Sequence, residues 1–111
     1  MESDQAVLRL AALAQASRLA IFRLLVQSGP QGLCVGDIAI ALKLAPATLS
    51  FHLKELSHAG LIQSRQEGRY YFYSPDFPAM NGLIAYLTEN CCGGLPCDTA
   101  CAPPATSKKR A

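Results

Sequence analysis

The stretch PATLSFHLKELSHAGLIQSRQEGRYYFY, residues 46–73, changes its periodicity near the middle, and this change decides the fold class. Its first half carries apolar residues at the i, i+4 and i+7 positions of a helix: Leu49, Leu53 and Leu56. Pro46 suits a first helical position, and Gly60 suits the residue just past the end. The second half, LIQSR and RYYFY, alternates as strands do, and Gly68 can supply a turn between them. The stretch therefore predicts a helix followed by a two-stranded hairpin.

The flanking segments extend this pattern to a winged helix-turn-helix, a mainly α fold with a β-hairpin wing. VGDIAIALKL, residues 35–44, predicts a short helix that breaks just before residue 46, which is the helix-turn-helix arrangement. Further helices are predicted over residues 4–15, from a Ser17 cap to a stop at Gly29 and Pro30, and over residues 74–90. Apolar residues form one seam on the last of these helices: Met80, Leu83, Ile84 and Leu87.

Length and charge narrow the class of protein. The 111 residues suffice for one small domain, and no apolar run approaches the ~20 residues of a membrane span. The N-terminal MESDQAVLRL carries acids where a secretory signal carries bases, so we expect a cytoplasmic protein with no membrane partner. The net charge of +2 depends on a basic tip at residues 108–110, without which 7 bases face 8 acids. Only local charge can therefore indicate nucleic-acid binding.

The outward face of the helix over residues 46–59 is predicted to enter the major groove of double-stranded DNA. The predicted DNA contacts on this helix and the hairpin are Ala47, Thr48, Ser50, Phe51, Lys54, Arg65 and Arg69. Hydroxyl groups suit bases or phosphates, and the lysine and arginines suit phosphate. Phe51 suits either a thymine methyl group or packing under a neighbouring loop. His52 lies nearer the inner stripe, where packing or hydrogen bonding is expected.

Three segments resemble the ArsR/SmtB family of metal-responsive repressors: ALAQASRLAIFRLLV, TLSFHLKELSHAGLI and RQEGRYYFYSP. The resemblance covers roughly residues 7–90. It implies a homodimer paired through the first and last helices, which binds operator DNA when metal-free and releases it when metal binds. We expect residues 1–90 to form the DNA-binding and dimerisation domain. Residues 91–111 are expected to form an inducer-binding tail with a flexible basic tip.

The family places its ligands at several positions, and most are missing here. One arsenic-sensing branch uses CVC, but this chain has LCVGD, with Gly36 in place of the second cysteine, so Cys34 is expected to be a small buried hydrophobe. Residues 76–90 contain no histidine for a zinc site, and the N-terminal cysteine site of the cadmium and lead sensors has no match. TENCCGGLPC, residues 88–97, resembles an arsenite-sensing branch in which ENCC closes the last helix.

This resemblance implies that Cys91, Cys92 and Cys97 hold As(III), with Cys101 as a substitute or fourth sulfur. Soft sulfur ligands select soft ions, and trivalent arsenic takes three thiolates. Antimonite or a methylated arsenical would suit the same thiols. The expected function is an arsenic(III)-responsive transcriptional repressor that leaves its operator when the metalloid binds.

Other functions stay open at this level. Four thiolates could hold Zn(II) or Cd(II) in a repressor of the same fold, although the paired CxxC turns of structural zinc sites are missing. A Cys92–Cys97 disulfide would make the tail a redox switch. The chain could also be a cytosolic metal or metalloid buffer that does not bind DNA. An enzyme is not expected, because both histidines, His52 and His58, belong to the predicted recognition helix.

Overall fold

A computed structural model describes residues 1–94, and within them the chain forms a winged helix-turn-helix, as predicted. The helices are α1 Ser3–Leu13, α2 Ala16–Ser28, α3 Val35–Leu42, α4 Pro46–His58 and α5 Phe77–Leu87. The strands are β1 Leu33–Cys34, β2 Ile62–Glu67 and β3 Tyr70–Pro75, which form one antiparallel sheet in the order β1-β3-β2. α3 and α4 are the helix-turn-helix pair, and β2 with β3 is the wing.

The hydrophobic core lies where α2, α3 and α4 meet the start of the wing. Its fully buried residues include Ile21, Leu25, Ile38, Leu49, Leu56 and Leu61. The leucine stripe predicted on α4 is confirmed, since Leu49, Leu53 and Leu56 are all buried. Burying a leucine or isoleucine side chain contributes about 1.5–3 kcal/mol relative to leaving it exposed. This core fixes α4 against the body of the domain and leaves its opposite face outward.

The wing turns later in the chain than the sequence pattern predicts. The pattern puts the break at residues 66–68, but β2 continues to Glu67, which pairs with Tyr70. The turn is formed by Gly68 and Arg69, with φ of +63° at Gly68, so the predicted positive φ is confirmed. A glycine in the first central position of a two-residue turn matches the right-handed twist of the flanking strands.

Helix boundaries differ from the prediction at several ends, and α1 and α3 each end two residues early, at Leu13 and Leu42. α2 is capped by Gln15, whose side-chain oxygen accepts a hydrogen bond from the Arg18 backbone N–H at 2.9 Å, rather than by Ser17. Asp76 caps α5, since its Oδ1 accepts from the Ala79 N–H at 3.0 Å. α5 ends at Leu87, before the predicted end at residue 90. The helix is capped there by Thr88.

Apolar residues of α1 and α5 lie on the surface of the domain. On α1, Val7 and Leu10 lie on one apolar stripe that does not face the core of its own chain: they are 60% and 40% exposed, and Ala6 is the buried residue of the helix. On α5, Leu83 is buried, but Leu87 is 59% exposed. A cavity of about 340 Å³ with an almost wholly apolar lining lies between α2 and α5 beside these residues. An exposed apolar surface of this kind is typical of an interaction site.

None of the helices within residues 1–94 is by itself long and apolar enough to cross a membrane. α1 and α2 together meet the length and composition of a span, but the chain bends by 99° between them.

Candidate functional site

The outward face of α4 carries the side chains that the sequence predicts for DNA contact. Ala47, Thr48, Ser50, Phe51 and Lys54 are all exposed on this helix. Ala45, at the cap position, makes no side-chain hydrogen bond to the first turn. The N–H groups of Ala47 and Thr48 therefore have no capping side chain, an arrangement that suits a phosphate at the edge of a groove.

Phe51 and His52 are adjacent in sequence but lie in different environments. Phe51 is 56% exposed, so the alternative that it packs under a neighbouring loop is wrong. His52 is 8% exposed and its Nδ1 lies 3.4 Å from Nη1 of Arg18, which confirms a packing and hydrogen-bonding role. The two rings meet edge to face, with centroids 5.6 Å apart. The exposed aromatic ring is thus supported by a buried one.

The two arginines of the wing differ in what they contact. Arg65 pairs with Glu67, donates from Nη1 to the backbone oxygen of Gln31 at 3.0 Å, and stacks over Phe72 at 5.0 Å. Its side chain therefore fastens the wing to the α2–α3 connection, a role that differs from the predicted phosphate contact. Arg69 lies exposed in the turn, and no hydrogen bond or ion pair engages its side chain within residues 1–94. Arg69 is the better placed of the two for phosphate.

β1 brings a cysteine next to the wing. Leu33 pairs with Tyr73 and Cys34 pairs with Phe72, so the start of α3 lies beside β3. Cys34 is half-buried, and its thiol donates a hydrogen bond to Asp37 Oδ2 at 3.2 Å, whereas the sequence predicts a buried hydrophobe. A strand of two residues is too short to show an alternating pattern, so no sequence signal indicates this pairing.

The first two predicted inducer ligands lie in a turn beyond α5. Residues 91–94 form an irregular turn with positive φ at Cys92, Gly93 and Gly94, so these cysteines follow the last helix instead of closing it. The Sγ atoms of Cys91 and Cys92 are 3.6 Å apart, and both residues are exposed. Two thiolates bonded to one ion at about 2.3 Å would lie about 3.3–3.8 Å apart, for angles at the ion between the pyramidal and the tetrahedral value. The observed spacing fits that geometry.

The described chain contains only part of the predicted inducer site. No three His, Cys, Asp or Glu side chains within residues 1–94 are grouped closely enough to hold a metal ion. Cys97 and Cys101 lie outside the described residues. Cys92 is disulfide-bonded. The turn therefore places two sulfurs together just beyond α5, and a three-thiolate site requires reduction of the Cys92 disulfide as well as a further ligand.

Comparison with known proteins identifies the family. The family model described as Helix-turn-helix domain matches residues 13–65. Over 81 residues the chain is 36% identical to the arsenical resistance operon repressor of Bacillus subtilis, and the match covers 73% of each protein. The chain belongs to the ArsR family of winged-helix transcriptional regulators.

Other relatives extend this comparison. The chain is 32% identical over 90 residues to the transcriptional activator HlyU of Vibrio cholerae, covering 81% of each. The HlyU structure superposes with a TM-score of 0.65 over 83% of this chain and 99% of the solved HlyU chain. The homodimeric winged helix-turn-helix domain of Mb0332 from Mycobacterium bovis, a possible ArsR-family regulator, is 28% identical. It superposes with a TM-score of 0.62 over 86% of this chain and 88% of the solved fragment of Mb0332.

An uncharacterised helix-turn-helix regulator of Methanocaldococcus jannaschii is 40% identical to this chain over 57 residues. The matched residues are 51% of this chain and 62% of that relative. All these relatives are named as regulators of transcription, which favours a regulator over an enzyme for this chain. They include a repressor and an activator. Family membership alone therefore does not fix the direction of regulation.

Proposed function

We propose that this ArsR-family regulator is an arsenic(III)-responsive repressor that acts in the cytoplasm. It binds double-stranded operator DNA as a homodimer and leaves the DNA when a trivalent metalloid binds Cys91, Cys92 and Cys97. The observation that carries the proposal is the pair of sulfurs 3.6 Å apart in the turn that directly follows α5. The Bacillus subtilis relative, an arsenical resistance operon repressor, supports the same direction of regulation and the same class of inducer.

The exposed face of α4 and the Arg69 turn supply the DNA contacts. The segment from α3 to the wing tip carries only a slight excess of basic residues, so one copy is expected to bind weakly. A second copy doubles the number of phosphate contacts, and the affinity falls with rising salt because each contact releases counterions. Two recognition helices in a symmetric dimer bind half-sites about 34–36 Å apart.

The apolar surface of α1 and α5 supplies the pairing of the two copies. Val7, Leu10, Ile84 and Leu87 are all at least 40% exposed, which is costly for a monomer and is removed by burial against a second copy. The Mycobacterium bovis relative of the same fold is homodimeric. Pairing through these helices would bring the cysteine turn next to the dimer interface, because the turn begins four residues after α5 ends.

The thiol set favours a trivalent metalloid over a divalent metal. As(III) takes three sulfurs and retains a lone pair on its fourth side, so two adjacent cysteines and one nearby cysteine complete its coordination. Zn(II) and Cd(II) take four ligands in a tetrahedron, usually from paired CxxC turns. Cys91 and Cys92 would hold one side of the ion and Cys97 the other. Such a closure would restrain the end of α5, and with it the interface that sets the distance between the recognition helices.

The coupling required of this site is modest. An allosteric free energy of about 1–3 kcal/mol corresponds to a 5–150-fold change in DNA affinity, which suffices for a switch. The test is fluorescence anisotropy of labelled DNA from upstream of the protein's own gene, titrated with As(III), Sb(III), Zn(II) and Cd(II) under a phosphine reductant. We expect release by As(III) and Sb(III). Release of the DNA by Zn(II) alone would indicate a divalent-metal sensor. If the protein binds the DNA in none of these conditions, the alternative of a metal or metalloid buffer is favoured.

Oxidation of the same cysteines is a second candidate signal. Cys92 is disulfide-bonded, and a disulfide formed or broken at the end of α5 would act on the same interface as a bound ion. One solved structure of HlyU, at 34% identity, is that of the reduced protein. Titration of the DNA complex with diamide, in the absence of reductant and metalloid, separates the two signals. Release by diamide without any release by As(III) would favour the redox switch.

The two wing arginines predict different effects of substitution. Arg69→Ala is expected to weaken DNA binding and to leave thermal stability unchanged. The slope of log K against log salt should become shallower by about 0.9 for each phosphate that the shortened side chain no longer reaches. Arg65→Ala is the matched comparison, because it removes the contacts to Glu67 and Gln31 and should lower the melting temperature. Equal salt slopes for Arg69→Ala and the parent protein would contradict a phosphate role for Arg69.

A further inference from the structure

Two arginine side chains connect α1 and α2 to the recognition helix. Arg9, on α1, donates from Nε to the backbone oxygen of Ala59, the residue that ends α4, at 3.1 Å. Arg18, on α2, donates from Nε to the backbone oxygen of Ala12 in the last turn of α1 at 2.7 Å. Its Nη1 lies 3.4 Å from Nδ1 of His52 on α4. α1 is thus joined to α4 directly at the end of α4, and through Arg18 near its middle.

Both arginines act at helix ends, where a cation is favoured. The last carbonyl groups of a helix have no partner within the helix, and they carry the negative end of its dipole. α1 has no basic residue in its own last turn, and Arg18 supplies one from α2. Arg9 adds a cation to the end of α4 from α1, beside His58 in the last turn of α4 itself. Both arginine side chains are half-buried, which strengthens these hydrogen bonds relative to fully exposed ones.

An open surface groove of about 210 Å³ separates part of α1 from α4, lined by Leu8, Ala11, Ala12, Arg18, Glu55, His58 and Ala59. Close packing normally fixes the angle at which two helices cross. Because this seam contains a gap, packing constrains the angle less here, and the hydrogen bonds of Arg9 and Arg18 supply the remaining constraint.

We propose that Arg9 and Arg18 are positioning residues that set the orientation of α4 relative to α1. This inference rests on the proposed function, in which α4 enters the groove and α1 pairs the two copies. Arg18 contacts His52, and the His52 ring packs edge to face against Phe51, the preceding residue, which lies on the exposed face of α4. The two arginines therefore couple the spacing of the dimer to the placement of Phe51 and its neighbours on DNA.

The test replaces each arginine by lysine, which retains the charge but not the planar fork of donors. A single ammonium group cannot reproduce the two directions in which Arg18 Nε and Nη1 donate. For the Arg9→Lys/Arg18→Lys protein we expect affinity for upstream operator DNA to fall about tenfold, because the recognition helices no longer match the half-sites. Affinity for a scrambled duplex of equal length is expected to stay within about twofold, since the phosphate-binding charges are unchanged.

Four further measurements make the result decisive. The dimer dissociation constant from sedimentation equilibrium should be unchanged, and circular dichroism should show a folded protein at the assay temperature. The single variants Arg9→Lys and Arg18→Lys give the same comparison with a smaller structural change. Arg23→Lys is the matched control, because Arg23 is exposed on α2 and its side chain is engaged by no hydrogen bond or ion pair within the described chain.

A selective loss of operator affinity in the variants, absent from the control, supports the positioning role. Operator affinity equal to that of the parent protein overturns it. A parallel fall in affinity for both duplexes also overturns it, because that result indicates a general loss of folded protein. If the parent protein itself shows no preference for upstream DNA, the proposed function fails and the inference fails with it. That outcome is seen before any variant is made.

Discussion

A Cys91→Ser/Cys92→Ser protein is expected to bind operator DNA with the parent affinity and to stay bound when As(III) is added. The substitutions remove two of the three sulfurs proposed for the inducer, and the serine hydroxyl groups that replace them are hard ligands with low preference for As(III). Both residues are exposed in the turn after α5, outside the recognition helix and the wing, so DNA binding itself should not change. The expected loss is the whole effect of the inducer on DNA affinity, about 5–150-fold.

The fifth cysteine offers a matched control for this result. Cys34→Ser removes a thiol that is half-buried beside the wing and bonded to Asp37. It should leave release by As(III) intact. Cys97→Ser should abolish release and Cys101→Ser should preserve it, if the site is the three-sulfur set. Arsenic absorption spectroscopy of the parent complex should give three sulfur neighbours. Release of the double-serine protein by As(III) would contradict the proposed site.

The recognition helix was predictable because its signals are local. Leu49, Leu53 and Leu56 lie on one stripe of α4, and the leucine-free face opposite follows from the helical repeat alone. The same reasoning puts His52 near the core and Phe51 outside it. The apolar stripe on α1 correctly predicts a helix. It does not predict what the stripe packs against, because its apolar residues are exposed in the single chain. Periodicity shows which residues share a face and does not show what covers that face.

The wing was less predictable because its contacts join distant residues. No local pattern separates Arg65 from Arg69, since both flank a predicted turn. They are distinguished by the pairing of β2 with β3, which puts Phe72 beside Arg65, and by the α2–α3 connection, which presents the Gln31 carbonyl group 34 residues away. The Arg9 and Arg18 links have the same origin. They depend on how α1 crosses α4, and the periodicity of neither helix contains that angle.

That α2–α3 connection also gives the largest expected effect on stability, at Gly32. Its φ is +82°, and a Cβ atom built there would lie 2.5 Å from the backbone oxygen of Tyr73. Gly32→Ala therefore combines the cost of a left-handed backbone with an overlap against β3, which only movement of the connection or the strand can relieve. We expect the free energy of unfolding to fall by about 2–5 kcal/mol, measured by urea denaturation at matched protein concentration.

Two other glycines separate the contributions to this cost. Gly68 has φ of +63° with open space around its Cβ position, so Gly68→Ala should lose only the backbone term, about 1–2 kcal/mol. Gly36, in the first turn of α3, has open space and no positive φ, so Gly36→Ala should be neutral or stabilising by up to about 1 kcal/mol. If Gly32→Ala costs no more than Gly68→Ala, the approach to Tyr73 is not the constraint. A larger cost at Gly32 shows that the wing is held from its inner side, where the connection to α3 crosses β3.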